Sequence, residues 1–246
     1  MEISLELVPR SLPDLETELK LAQTHLKKIT AINIPDLLRF DLRSWQGCTL
    51  AKNYYPRSIP HIRAIDYNLA KPLPFAKELE ENHIHEVLVV SGDPPVDMSK
   101  RVYPSSVLNL IHKIKRELPF IGKVYAALDP YRSAFHEELA YVKHKLEAGA
   151  DGIFSQPFFD MRLLDMYMEQ LEGLNVYWGI TSVTSKSSMR YWQVRNHAIF
   201  PKDFDASLEW NREFAAKVLE YAQKHQQNLY FMPIRTDLVA YLGGLL

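Results

Sequence analysis

Apolar residues follow two spacings along this chain. Short runs that alternate with polar residues, or are uniformly apolar, are typical of strands, and apolar residues three or four positions apart are typical of helices. Residues 3–8 alternate, and Leu15 and Leu19 then begin one helical face. The run from Glu86 to Gly92 is the clearest strand, because this β-branched stretch is stopped by Gly-Asp-Pro-Pro.

The strand spacing and the helix spacing alternate along the whole chain. Strands are predicted at 3–8, 30–34, 58–65, 86–92, 123–128, 152–156, 176–182 and 229–232, and helices at 15–28, 41–53, 73–82, 105–117, 134–148, 163–171, 187–196 and 206–226. Alternating strands and helices predict a parallel sheet, and the count of eight favours closure into a (β/α)8 TIM barrel. A doubly wound open sheet is the alternative, but no G-x-G-x-x-G follows the first strand.

Length and composition agree with one soluble barrel. The 246 residues suit a single domain over 1–246, and no Gly/Ser-rich linker divides them. Lys and Arg total 29 against 30 for Asp and Glu, without a basic run, so nucleic acid is not expected as a partner. No apolar stretch approaches the roughly 20 residues that span a bilayer. With a lone Cys48 and no signal-peptide pattern, we expect a cytoplasmic protein without a membrane partner.

Polar residues at the strand ends are the candidate chemistry, because the loops that follow barrel strands converge on one mouth. The predicted strands end at or near Glu6, Asn33, His61, Ser91 with Asp93, Asp129, Gln156, Thr181 and Arg235. If Glu6 points into the barrel, burial raises its pKa and suits it to donate a proton near neutral pH. An outward-facing Glu6 is the alternative.

Other motifs leave a structural and a functional interpretation open. The loop from Ser91 to Pro95 combines a flexible glycine with a carboxylate, and serves either a ligand or a turn. Glu138, Tyr141 and Lys145 form a polar stripe, which is either a solvated helix face or a grip for a phosphate or ribityl chain. No H-E-x-x-H or G-x-S-x-G motif is present, and no metal site is predicted.

Taken in order, six segments resemble the landmarks of the methylenetetrahydrofolate reductase family. They are Ser-Leu-Glu-Leu-Val-Pro (4–9), Ile-Pro-His-Ile (59–62), Val-Ser-Gly-Asp-Pro-Pro (90–95), Lys-Leu-Glu-Ala-Gly-Ala-Asp-Gly (145–152), Ser-Gln-Pro-Phe-Phe-Asp (155–160) and Trp-Gly-Ile (178–180). The resemblance extends from the first strand to the eighth. It implies a (β/α)8 barrel in which a donor reduces FAD and the flavin passes hydride to methylenetetrahydrofolate.

The resemblance also implies roles for single residues. Glu6 occupies the position of the general acid, whose proton opens the five-membered ring of the folate to an iminium. Asp93 matches an aspartate near the flavin and the pterin, where it tunes the flavin potential and helps to hold the folate. Gln156 matches a glutamine that contacts the folate and the nicotinamide donor, and Phe158 and Arg235 are assigned to the substrate with it.

A further set of residues falls on flavin-contacting positions of the family. The set comprises Asn33, His61, Ser91, Gly92, Asp93, Tyr103, Glu138, Tyr141, His144 and Lys145. Three departures bear on FAD: the family often has an arginine at Ser91 and a threonine at Asn33, and its aromatic residue after the fifth strand is Leu128 here. The loop at 129–132 is also shorter than in the family, and Arg132, His144 or Lys145 is expected to restore a phosphate contact.

Three functions follow as alternatives. The first is a flavin-dependent reductase with NADH, NADPH or reduced ferredoxin as donor, and the second passes hydride directly from NAD(P)H to the folate. The third is a barrel that binds folate or a partner without turnover. A homo-oligomer and an electron-donor protein stay open as partners, and Trp192 and Trp210 serve either a subunit contact or the core.

Overall fold

The computed structural model describes residues 1–95 and 101–246 and contains a closed barrel. Each strand pairs in parallel with its sequence neighbours, and β8 pairs with β1 to close the ring. The strands are β1 (Ile3–Glu6), β2 (Ala31–Ile34), β3 (Ser58–Arg63), β4 (Glu86–Val90), β5 (Lys123–Leu128), β6 (Gly152–Pro157), β7 (Val176–Thr181) and β8 (Asn228–Met232). The predicted (β/α)8 barrel is confirmed, and the open sheet is excluded.

Helices surround the ring of strands. They are α1 (Leu12–His25), α2 (Ser44–Ala51), α3 (Ala76–Glu81), α4 (Val107–Glu117), α5 (Phe135–Glu147), α6 (Met161–Gln170), α7 (Lys186–Arg195), α8 (Leu208–His225) and α9 (Leu238–Leu242). Several begin where a serine or aspartate side chain accepts a backbone N–H bond of the first turn, as Ser11 does at α1 and Asp160 at α6. None of the helices in the described residues is long and apolar enough to span a membrane.

The alternation of side chains along each strand produces two separate cores. Outward-facing residues pack against the helices in the larger core, which includes Leu5, Ile32 and Trp178. Apolar inward-facing residues fill the middle of the barrel interior, and they include Ala31, Ile59, Leu88, Tyr125, Phe154, Tyr177, Tyr230 and Met232. The interior is therefore packed through its middle, and polar chemistry is confined to its two ends.

At the N-terminal end of the barrel, Arg57 closes the interior with an ion network. Its guanidinium donates to Glu2 at 2.6 Å and to both carboxylate oxygens of Glu86 at 2.8 Å. The same group contacts the hydroxyls of Tyr125 and Tyr177 at 3.2 Å. Because every partner is satisfied locally, this end is built for stability.

Element boundaries differ from the predicted ones in a few places. β3 ends at Arg63 because residues Ala64–Asp66 turn into a short 3-10 helix, and β4 ends at Val90. The C-terminal helix α9 was not predicted, because five residues are too few to show a helical spacing. Of the two roles left open for Trp192, the structure favours the core, because the ring is buried against Phe159.

Candidate active site

Polar side chains from four strands meet at the C-terminal end of the barrel. Glu6 ends β1, Asn33 lies on β2 in register with it, and His61 follows on β3. Tyr230 of β8 completes the group from the other side of β1. This is the end at which TIM barrels carry their active sites.

Glu6 points into the barrel and is largely shielded from water. Its side chain is 13% exposed, and one carboxyl oxygen, Oε2, accepts a hydrogen bond from the Tyr230 hydroxyl. Burial raises the pKa of Glu6 to about 7, and the bond from Tyr230 offsets only part of that rise. At neutral pH this carboxyl is therefore poised between its acid and its base forms.

A chain of hydrogen bonds runs beside Glu6 along the inner wall. The Ser4 hydroxyl donates to Asn33 Oδ1 at 2.5 Å, and Asn33 Nδ2 lies 3.4 Å from His61 Nε2. His61 Nε2 in turn lies 4.0 Å from Glu6 Oε2. Burial lowers the pKa of His61 to about 3, so the imidazole stays neutral.

The loop after β4 is held by Arg63. Arg63 Nη2 donates to the carbonyl of Asp93 at 2.5 Å, and the backbone of Ile65 binds the carbonyl of Ser91. Gly92 has a φ of +82°, and a Cβ there would lie 3.0 Å from Arg63 Nε, so only glycine fits. The side chains of Ser91 and Asp93 are left exposed at the mouth.

The remaining predicted site residues occupy different surroundings. Gln156 lies two positions after the inward-facing Phe154 on β6 and is half-buried. Tyr103 is half-buried, and its backbone N–H binds the carbonyl of Ile65. Arg235 follows β8, is exposed, and has a φ of +55°, which is unusual for a residue other than glycine.

Phe158 does not face the mouth, and its assignment as a substrate contact needs correction. The residue is fully buried in the outer core, where its ring packs edge-on against Tyr167 of α6 and Trp178 of β7. Two adjacent phenylalanines follow β6, and the sequence does not reveal which of them is turned outward. The neighbouring Phe159 packs with Phe200 and Phe204 instead.

The polar stripe of α5 is neither a solvated face nor an open grip. Glu138 and Lys145 are buried, and the Lys145 ammonium donates to the Ala127 carbonyl at 2.5 Å and lies 3.6 Å from Glu138. Glu138 also accepts from Arg132 at 2.5 Å, and Tyr141 packs under both cations. Burial lowers the pKa of Lys145 to about 8.

These α5 contacts do not fit the diphosphate of FAD. A diphosphate needs cations or N–H donors that it can reach, but Lys145 is 2% exposed, and Arg132, although 41% exposed, already binds Glu138 as Lys145 does. His144 is exposed in the last turn of α5, one residue from the buried Lys145. Among the residues implied as flavin contacts, Glu138 and Lys145 therefore neutralise each other within the fold, whereas Asn33, His61, Ser91, Gly92 and Asp93 lie toward the mouth.

Within residues 1–95 and 101–246, no three His, Cys, Asp or Glu side chains are grouped to hold a metal ion. Among the surface hollows formed by the described residues, one is lined in part by Arg10 and Arg39 and another by Arg43 and Arg101. Neither is lined by Glu6, whose side chain lies inside the ring of strands.

Sequence reasoning missed three members of the site. Tyr230 lies within the uniformly apolar run Leu-Tyr-Phe-Met, which does not show which residues face inward. Ser4 was hidden by its position in mid-strand, and Arg63 by its place just before a turn. For Ser4 a signal was available, because it lies two residues before Glu6 and therefore on the same face.

The fold and the site together define a TIM barrel with a buried carboxyl among polar side chains at the mouth. A family model described as methylenetetrahydrofolate reductase matches residues 22–229. Because this match covers most of the chain, the chain belongs to the methylenetetrahydrofolate reductase family.

One curated relative gives a partial match. The 5,10-methylenetetrahydrofolate reductase of Pectobacterium carotovorum subsp. carotovorum is 25% identical over 103 residues, which are 42% of this chain and 34% of that protein. The match therefore spans about a third of the relative's length.

Solved structures agree on the architecture. An uncharacterized protein from Clostridium thermocellum that binds two copies of 5-methyl-5,6,7,8-tetrahydrofolic acid superimposes with a TM-score of 0.62 at 10% identity, over 98% of this chain and 92% of that one. A 2,3-dimethylmalate lyase has a TM-score of 0.58 at 11% identity, over 96% of this chain and 75% of that one. At these identities the likeness shows the fold alone.

Proposed function

We propose that the protein reduces 5,10-methylenetetrahydrofolate to 5-methyltetrahydrofolate, with Glu6 as the general acid. The observation that carries the proposal is the Glu6 carboxyl, buried at the barrel mouth with its pKa raised to about 7 by burial. A carboxyl in this state holds a proton at neutral pH and can release it to a substrate.

In the proposed reaction, the proton comes from Glu6 and the hydride comes from the electron donor. The Glu6 proton goes to the bridging nitrogen of the folate, the bond from that nitrogen to the methylene carbon breaks, and an iminium remains. Hydride from the donor then reduces the methylene carbon to a methyl group, and Glu6 is left as a carboxylate. The hydrogen bond from Tyr230 stabilises that carboxylate until a proton returns.

Family membership supports a folate as the substrate. The folate bound by the Clostridium thermocellum protein of the same fold is also the product of the proposed reaction. The exposed Asp93 and Arg235 and the half-buried Gln156 are the side chains that we propose to hold the pterin and the tail of the folate.

The source of the hydride is the second part of the proposal. The family resemblance implies a flavin relay, with Asn33, His61 and Gly92 at flavin positions and NADH, NADPH or reduced ferredoxin as the primary donor. The neutralised Glu138 and Lys145 pair does not fit the FAD diphosphate, and this observation favours the second candidate, direct transfer from NADH or NADPH.

The purified chain tests both parts. We expect methylenetetrahydrofolate-dependent oxidation of NADH or NADPH by a protein without flavin absorbance, with sequential steady-state kinetics. A yellow protein with ping-pong kinetics would restore the flavin relay and leave the role of Glu6 intact. A protein that reduces no methylenetetrahydrofolate with either nicotinamide or with dithionite-reduced FAD would overturn the proposed function.

A further inference from the structure

The hydrogen bonds beside Glu6 have a direction, and that direction can be derived atom by atom. A serine hydroxyl has one hydrogen to donate. Ser4 Oγ lies 2.5 Å from Asn33 Oδ1 and 3.4 Å from the carbonyl of Ala31, so the shorter contact takes the hydrogen. The structure places Asn33 Oδ1 toward Ser4 and Asn33 Nδ2 toward His61, so the amide presents its NH2 group to the imidazole.

The orientation of Asn33 decides the tautomer of His61. Asn33 Nδ2 can only donate, so His61 Nε2, at 3.4 Å, must accept with its lone pair. A neutral imidazole carries one proton, which therefore sits on Nδ1. His61 stays neutral because the burial that surrounds it disfavours a charged ring.

The accepting nitrogen of His61 lies close to Glu6. Nε2 is 4.0 Å from Glu6 Oε2, a separation that catalytic groups often show before substrate binds and then shorten. Within residues 1–95 and 101–246, the titratable groups that face Glu6 are Tyr230 from β8 and His61 from β3. Arg63, two residues beyond His61, is engaged with Asp66 and Asp93.

We propose that Ser4 and Asn33 hold His61 with its Nε2 unprotonated, and that the single lone pair of Nε2 is shared in a three-centre hydrogen bond between the Asn33 N–H and the proton of the Glu6 carboxyl. These three side chains are then positioning residues for the acid. The role rests on the proposed function of Glu6 as the proton donor. A lone pair facing the carboxyl favours its protonated form and repels the carboxylate. The lone pair of His61 therefore raises the pKa of Glu6, as burial does, whereas the hydrogen bond from Tyr230 lowers it.

The first test is the tautomer of His61 in the wild-type protein. Long-range ¹H–¹⁵N correlation spectra of histidine-labelled protein at pH 7, assigned with H61Q, distinguish a protonated from an unprotonated Nε2. We expect an unprotonated Nε2 and a protonated Nδ1. A proton on Nε2 would overturn the proposal, because the ring would then donate toward Asn33 and Glu6 instead of accepting.

The second test uses a matched pair of substitutions two links away from Glu6. Ser4→Ala removes the hydroxyl that orients Asn33, whereas Ser4→Thr keeps it. With ¹³C-carboxyl-labelled glutamate, we expect the pKa of Glu6 to fall by about half a unit or more in S4A and to return toward the wild-type value in S4T. An unchanged Glu6 titration in folded S4A would contradict the proposal.

Neither measurement depends on turnover. A protein that reduces no folate could still show the unprotonated Nε2 and the shifted titration, and then only the proposed function would fail. Conversely, a working reductase with a proton on Nε2 would keep its function and lose this inference. The wild-type spectrum decides the inference even where a Ser4 variant does not fold.

Discussion

Glu2 directly precedes β1 and Glu6 ends it, and the pKa values of their carboxyls are shifted in opposite directions. Each accepts a hydrogen bond from a tyrosine hydroxyl, Glu2 from Tyr177 and Glu6 from Tyr230. Burial raises the pKa of both, but bonds from Tyr177 and Arg57 outweigh it at Glu2, whose pKa is lowered. The pKa of Glu6 is raised to about 7.

The difference comes from one cation together with deeper burial. Arg57 donates to Glu2 at 2.6 Å, whereas Glu6 has no Lys or Arg partner within the described ranges 1–95 and 101–246. Glu2 is 41% exposed and Glu6 is 13% exposed in their side chains. The same residue type thus serves stability at one end of the barrel and holds a proton at the other.

The largest expected effect is a loss of activity, and we expect it on substitution of Glu6 but not of Glu2. Glu6→Gln removes the transferable proton and should lower folate reduction by about 100-fold or more, since general acid catalysis contributes that much. Glu2→Gln should leave turnover per folded molecule nearly unchanged. Steady-state rates with methylenetetrahydrofolate measure both, and equal activity of E6Q and wild type would remove Glu6 from the mechanism.

The next effect is on stability as a function of pH. The folded pKa of Glu6, about 7, lies above its value of 4.5 in the unfolded chain, so the folded state holds this proton more tightly. Its stabilising contribution is complete below pH 4.5 and is lost as pH rises through 7. We expect the wild type to lose about 3 kcal/mol relative to E6Q across that window.

Denaturant titrations of both proteins at several pH values measure this difference. Comparison with E6Q is needed because the titration of His61 changes stability with pH in the opposite direction. Its pKa of about 3 in the folded state lies below its unfolded value of 6.5, so its contribution to stability is lost as pH falls. A wild-type minus E6Q difference that stays flat from pH 4.5 to 7 would show that Glu6 titrates normally.

At the N-terminal end of the barrel, loss of the Arg57 cation should lower the stability of the fold. Arg57→Met leaves the carboxylates of Glu2 and Glu86 without their ion partner. We expect the free energy of unfolding to fall by about 2 kcal/mol, less than for a fully buried pair because Glu2 is partly exposed. Chemical denaturation at pH 7 measures the loss, and a drop in kcat of the folded variant would contradict a purely structural role.

The smallest effect concerns the two tyrosines. Tyr230→Phe removes the bond that lowers the pKa of Glu6, so that pKa should rise by less than about one unit. Activity that needs the acid form would then persist to a higher pH. Tyr177→Phe is the matched control and should leave the pH–rate profile unchanged. A shift of equal size in both variants would show that the bond from Tyr230 does not set the pKa of Glu6.

Most of the barrel could be predicted from the sequence because the pattern of an apolar strand followed by an amphipathic helix is repeated eight times. Each strand carries its own apolar run and each following helix its own spacing, so an error at one boundary leaves the count of eight intact. The 3-10 turn at Ala64–Asp66 and the short helix α9 escaped prediction because three to five residues are too few to define a period.

Less of the candidate site could be read, because site geometry depends on which side a residue faces. The inward orientation of Glu6 was one of two alternatives in the sequence, and the structure places it inward. Phe158 and Phe159 are adjacent, and only packing against Trp178 and Phe200 distinguishes them. The buried pair of Glu138 and Lys145 was equally invisible, because spacing does not show whether two charges neutralise each other.

The most direct test of the central claim is to titrate Glu2 and Glu6 in the same spectrum. Glutamate labelled with ¹³C at the side-chain carboxyl, with E2Q and E6Q to assign the two signals, reports both midpoints in one protein. We predict a midpoint near pH 7 for Glu6 and one below 4.5 for Glu2. Titration of Glu6 at the same low pH as Glu2 would contradict the account, because no proton would then remain at the mouth to be given to a substrate.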